Sequence, residues 1–149
     1  MRAFLFFAVF TLAVPVRPDI SPKEEKPAAP PLLGDWQVLK VIIGEKQDTD
    51  DADGTVFTFT PNDIQIRKKG ERRPEHDASY TVDWTKTPTA IDFTPKNNGR
   101  EMKIGGILKI EGDQLTLCYT IGPNENRPRD FVVAPNLSTV MIQLKRITK

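Results

Sequence analysis

Between Trp36 and Ile147 the apolar residues of this chain fall at alternate positions in short runs, and Gly, Pro, Asn and Asp separate one run from the next. A period of two belongs to the β-strand, whose successive side chains project to opposite faces, so each run reads as a half-buried strand. The pattern predicts strands over 36–43, 55–60, 64–67, 79–85, 90–94, 102–111, 114–120 and 139–147. Within 79–85 (SYTVDWT) Tyr80, Val82 and Trp84 share one face, with Thr81 and Asp83 on the other. Phe57 pairs in this way with Phe59, Ile91 with Phe93, and Leu115 with Leu117 and Tyr119. Pro61-Asn62-Asp63 and 68–71 (KKGE) supply turns, and Gly112-Asp113 is a two-residue hairpin connection in which Gly tolerates a positive φ. No convincing amphipathic helix interrupts the series, although 44–53 has room for one turn.

An antiparallel sheet of this size must close or protect its edges, because an open edge pairs with other chains. Strands in sequential hairpin order close naturally. The expected fold is therefore all-β, an eight-stranded antiparallel up-and-down barrel whose interior holds side chains or one small ligand. A two-sheet sandwich satisfies the same local pattern. Residues 32–149 are enough for one hydrophobic core and too few for two.

Upstream of the strands the chemistry changes twice. Met1-Arg2 precedes the apolar run AFLFFAVFTLAV, the layout of a secretory signal. A membrane span needs about 20 apolar residues, and this run stops at Pro15. Residues 17–31 (RPDISPKEEKPAAPP) alternate charge with proline and offer little to bury, as a semi-rigid tether does. The expected organisation is a signal peptide over 1–16, a Pro-rich tether over 17–31 and a barrel domain over 32–149. Such a protein is secreted or periplasmic, with no transmembrane span after signal removal. Cys118 is the only cysteine, so there is no internal disulfide and no lipid-acceptor thiol behind the signal. The 21 Lys and Arg residues nearly balance 20 Asp and Glu residues, which argues against a nucleic-acid partner.

Candidate chemistry is sparse. Asp48, Asp50, Asp51 and Asp53 cluster before Gly54 and invite a calcium reading. In the calcium-loop register, however, Thr49 would stand at position one and Thr60 at position twelve, where a bidentate Glu belongs. The segment reads better as a solvated acidic loop, and no metal site is expected. His76 is the only histidine and lies in the charged stretch RRPEHDAS, away from any nucleophile turn. Arg67, Lys68, Lys69, Arg72 and Arg73 surround a hairpin tip, where they protect an edge or meet an anionic envelope polymer. No catalytic residue and no cofactor are expected. The inward aromatics Phe57, Phe59, Tyr80, Trp84 and Tyr119 either fill the barrel or line a pocket for a small hydrophobic or amphipathic molecule.

Gly34-Asp35-Trp36, at the start of the first strand, resembles the Gly-x-Trp signature that opens lipocalin barrels. In that family the Trp plugs the closed end and a basic residue of the last strand packs over the indole. The matching residue here is Arg146 or, less well, Lys145, and a guanidinium on an indole face is a cation–π contact. A longer likeness is to a lipocalin-like secreted domain of unknown function abundant in planctomycete bacteria. It is carried by Leu33-Gly34-x-Trp36 with Val38, Thr85-Lys86-Thr87-Pro88, Ile91-Asp92-Phe93, Gly106-Ile107, Gly112-Asp113-x-Leu115-x-Leu117-Cys118-Tyr119, Arg127-Pro128-x-x-Phe131 and Leu144-Lys145-Arg146. The acidic QDTDDADG after Glu45 and Lys46 departs from the more helix-prone stretch of relatives. The resemblance implies a fold and no established activity. It also makes Arg127 a hallmark position, suited to clasping loop carbonyls or meeting a ligand carboxylate. The expectation is a non-enzymatic binder of a small apolar ligand; the alternative is a ligand-free module that docks on another envelope protein.

Overall fold

The computed structural model describes residues 31–44, 46–48, 52, 54–96, 102–121, 126–133, 135 and 138–148. The expected signal peptide, most of the tether and most of the acidic loop lie outside these residues. Nine strands follow in chain order: β1 (Gly34–Ile43), β2 (Lys46–Asp48), β3 (Val56–Phe59), β4 (Asp63–Arg67), β5 (His76–Asp83), β6 (Thr89–Pro95), β7 (Ile104–Glu111), β8 (Gln114–Thr120) and β9 (Thr139–Arg146). β1 and β3 to β9 form a single antiparallel meander, and β9 returns to pair with β1. The eight strands thus close into a barrel, and no helix occurs among the described residues.

Alternation sorts the side chains. Trp36, Val38, Phe57, Phe59, Ile64, Ile91, Phe93, Leu108, Leu115, Leu117, Val140, Ile142 and Leu144 form the buried core, with Val41, Ile66, Tyr80 and Tyr119 packed against it. At about 25 cal/mol per Å2 of apolar surface removed from water, this shared interior is the main force that closes the ring. Gly106 faces the same interior, where an added Cβ would stand 2.8 Å from the Cys118 carbonyl oxygen and 3.0 Å from Tyr119 Cβ. The missing side chain is the space into which Tyr119 fits.

Three expectations need correction. The segment 44–53 holds no helical turn among its described residues; Lys46–Asp48 is a short strand paired with Val41, Ile42 and Ile43. The reason lies in β1, whose register with β9 shifts between Val38 and Lys40. One extra residue there bends the strand and leaves Leu39 on the surface. The lower half of β1 then pairs with β3 and the upper half with β2. Second, the fifth strand begins at His76 and ends at Asp83, not at 79 and 85. Asp83 stops it by accepting hydrogen bonds from the Thr85 amide and hydroxyl, a side-chain turn that competes with the ladder. Third, that turn carries Trp84 out of the alternation, so the indole is 45% exposed instead of facing inward.

Candidate functional site

The two ends of the barrel differ. At one end Trp36 is completely buried between β3 and β9, and its indole Nε1 donates to the Leu32 carbonyl at 2.9 Å. Arg146, at the end of β9, lies across the ring face with its guanidinium carbon 4.1 Å from the centroid. Its Nη1 donates to the Leu33 carbonyl at 2.9 Å, and its Nη2 donates to that of Pro31. The flanking Gly34 has φ of 115°, a backbone state that suits a residue without Cβ. The same side chain therefore covers the indole, completes its cation–π contact and pins the chain that enters the barrel. This end is shut.

Toward the opposite end the core side chains thin out and leave a cavity of about 280 Å3. Phe57, Ile64, Ile66, Ala78, Phe93, Pro95, Ile104, Leu117 and Tyr119 line it, with Met102, His76 and Asp77 at its rim. The walls come from β3, β4, β5, β6, β7 and β8, so the cavity is continuous with the barrel interior and not a surface dent. Phe93 and Tyr119 meet edge to face at 6.0 Å between centroids, which fixes both rings. Burial pushes the Tyr119 hydroxyl pKa up to about 12, with Cys118 adding a smaller repulsion. The phenol stays neutral in the wall.

Of the five aromatics singled out from sequence, Phe57 and Tyr119 line this cavity. Phe59 lies nearer the closed end and packs edge to face on Tyr80 at 5.4 Å. The Tyr80 hydroxyl is already used, donating to the Thr60 carbonyl at 2.6 Å, and burial raises its pKa. Trp84 stands outside altogether. Sequence reasoning missed the aliphatic wall and Phe93. Ile64 and Ile66 alternate as plainly as Phe57 and Phe59, so extending the inward face to every apolar strand residue would have found them.

The outer wall carries a second assembly. Residues 126–133 cross the outside of β6, β7 and β8 as a strap. Arg127 holds it: Nη2 donates to Asp92 Oδ1 at 2.6 Å, and Nη1 donates to the carbonyls of Gly106 at 3.0 Å and Ile91 at 3.4 Å. Lys103 also reaches Asp92, at 3.3 Å. Lys109 Nζ sits 5.4 Å from the Phe131 ring centroid. Ile107 and Cys118, which alternation aims outward, are nonetheless buried. Burial, with some repulsion from Asp130 in the strap, pushes the Cys118 thiol up to about 11. That thiol is inert by the usual criterion of thiolate content.

His76 is largely exposed and lies 3.9 Å from Glu75. Among the described residues no group of three or more His, Cys, Asp or Glu side chains is disposed to hold a metal ion. Gly54 approaches Lys69 so closely that an added Cβ would fall 2.5 Å from the lysine Cβ. The end of the acidic segment therefore packs on the basic hairpin. The chain matches no protein family model, no curated protein and no solved structure.

Proposed function

We propose that the protein is a secreted, non-enzymatic barrel that takes one small hydrophobic or amphipathic molecule through its open end. The observation that carries this reading is the apolar cavity of about 280 Å3 inside a barrel whose other end is plugged. That volume is near the lower limit for pockets that hold organic ligands, so the occupant has on the order of a dozen non-hydrogen atoms. Tyr119 and the rim residues His76 and Asp77 supply polar atoms for the end of the ligand nearest water. The Gly34-x-Trp36 opening and the Arg146 contact support kinship with lipocalin-like secreted domains, and the apolar run after Arg2 supports export.

The test is fluorescence of an environment-sensitive apolar dye such as N-phenylnaphthylamine, titrated with the protein. Saturable enhancement is expected. Ala78→Phe places a ring in the cavity and should abolish the enhancement while the melting temperature stays within a few degrees. Enhancement that survives this substitution would place the dye elsewhere and count against the cavity. Native mass spectrometry of the protein from its own source should show a copurified small molecule; a copurified envelope protein instead would favour a docking module.

A further inference from the structure

Both tyrosines of the chain pack against the barrel core, and their hydroxyls are treated differently. Tyr80, toward the plugged end, donates to the Thr60 carbonyl. Tyr119, in the cavity wall, has no hydrogen-bond partner for its hydroxyl among the described residues. Taking a phenol oxygen out of water without giving it a partner is unfavourable, so a wall that only had to fill space would be better served by Phe.

The ring is also held in place. Gly106, its cross-strand neighbour on β7, leaves the room that Tyr119 Cβ needs, and the Phe93 ring meets Tyr119 at 68° with 6.0 Å between centroids. A polar group fixed in this way is preorganised, so an incoming molecule orders little of the protein. The neutral phenol draws its lone pairs into the ring and offers chiefly its O–H, which calls for an acceptor on the ligand.

The rest of the wall restricts the charge of that acceptor. No Lys or Arg lines the cavity, and His76 at the rim is 68% exposed beside Glu75. A carboxylate would therefore enter without a counter-ion and bear the cost of desolvation. An ammonium would bring donors to a donor. A neutral carbonyl meets the hydroxyl without either penalty.

We propose that the cavity selects a neutral carbonyl compound, a ketone or ester, with its oxygen on the Tyr119 hydroxyl and its chain running inward past Leu117 toward Phe57 and Ile64. This rests on the cavity being a ligand site, as proposed above.

The test displaces N-phenylnaphthylamine from the protein and from its Tyr119→Phe variant with 2-decanone and with decanoate at pH 8. Tyr119→Phe should weaken the ketone by about 3- to 10-fold, the worth of one hydrogen bond, and leave the affinity for the dye within about twofold. Its melting temperature should be unchanged or higher, because the hydroxyl has no protein partner to lose. The carbonyl stretch of bound 2-decanone should lie at lower wavenumber in the parent than in the variant, and decanoate should displace the dye about tenfold less well than the ketone or worse. Equal ketone affinity in parent and variant, or decanoate that binds as tightly as the ketone, overturns the proposal and leaves the cavity a ligand site. A dye that does not bind at all removes the proposal together with the reading it rests on.

Discussion

Arg146 is the residue on which the closed end depends, because one guanidinium covers the Trp36 ring and donates to two carbonyls of the entering chain, those of Pro31 and Leu33. Arg146→Met keeps the stem over the indole and removes every polar contact. It should cost about 1–3 kcal/mol in urea unfolding. Arg146→Lys should recover only part of this, since an ammonium cannot fork between two acceptors while stacking on a ring. Gly106 tests a different term. An added Cβ meets backbone, the Cys118 carbonyl oxygen at 2.8 Å, so Gly106→Ala should cost about 1–3 kcal/mol and disturb Tyr119 in the cavity wall. Gly112 has φ of 61° and open space around it, so Gly112→Ala should cost about 1–2 kcal/mol through backbone strain alone and leave the response to the apolar dye as in the parent protein.

The strap over β6 to β8 is the element whose role can be isolated. Arg127→Ala removes its charge-assisted bond to Asp92 and both carbonyl contacts. The prediction is that Cys118, unreactive toward Ellman's reagent in the parent protein, becomes reactive in this variant under native conditions. The strap also marks where sequence reading stops. All eight barrel strands were legible from the period of two, as was the Gly112-Asp113 connection, because both are local. The inward face of β3 and β8 followed from the same alternation. Trp84 was misplaced because the pattern continues through it, whereas the Asp83 carboxylate ends the strand one residue earlier. β2 was missed because Lys46, Gln47 and Asp48 carry no strand signature; the bulge at Leu39 in a neighbouring strand creates their partner. The burial of Ile107 and Cys118 depends on residues far along the chain, and only the continuity of the apolar runs ILKI and LCY hinted at a covered outer face.

For the molecule as a whole, alkali should be the vulnerable direction. Folding lifts the Cys118 thiol from 9.0 to about 11 and the Tyr119 phenol from 10.0 to about 12. Both groups are held in the neutral form, while the unfolded chain gives up these protons sooner. Their contribution is complete below pH 9 and is lost as the pH climbs through each folded value, at about 1.4 kcal/mol per pH unit for each group. Chemical denaturation between pH 7 and 11 should show this fall, and Cys118→Ala should delay its onset by about one pH unit because the phenols of Tyr119 and Tyr80, which ionise later in the unfolded chain, then remain. The seam between β1 and β9 has a consequence in time as well as in space. The ring is completed by the strand that leaves the ribosome last of the nine, so a nascent chain lacking it presents two bare ladders and no finished interior. Until residue 139 and its successors arrive, the facing edges of β1 and β8 lack the strand that joins them.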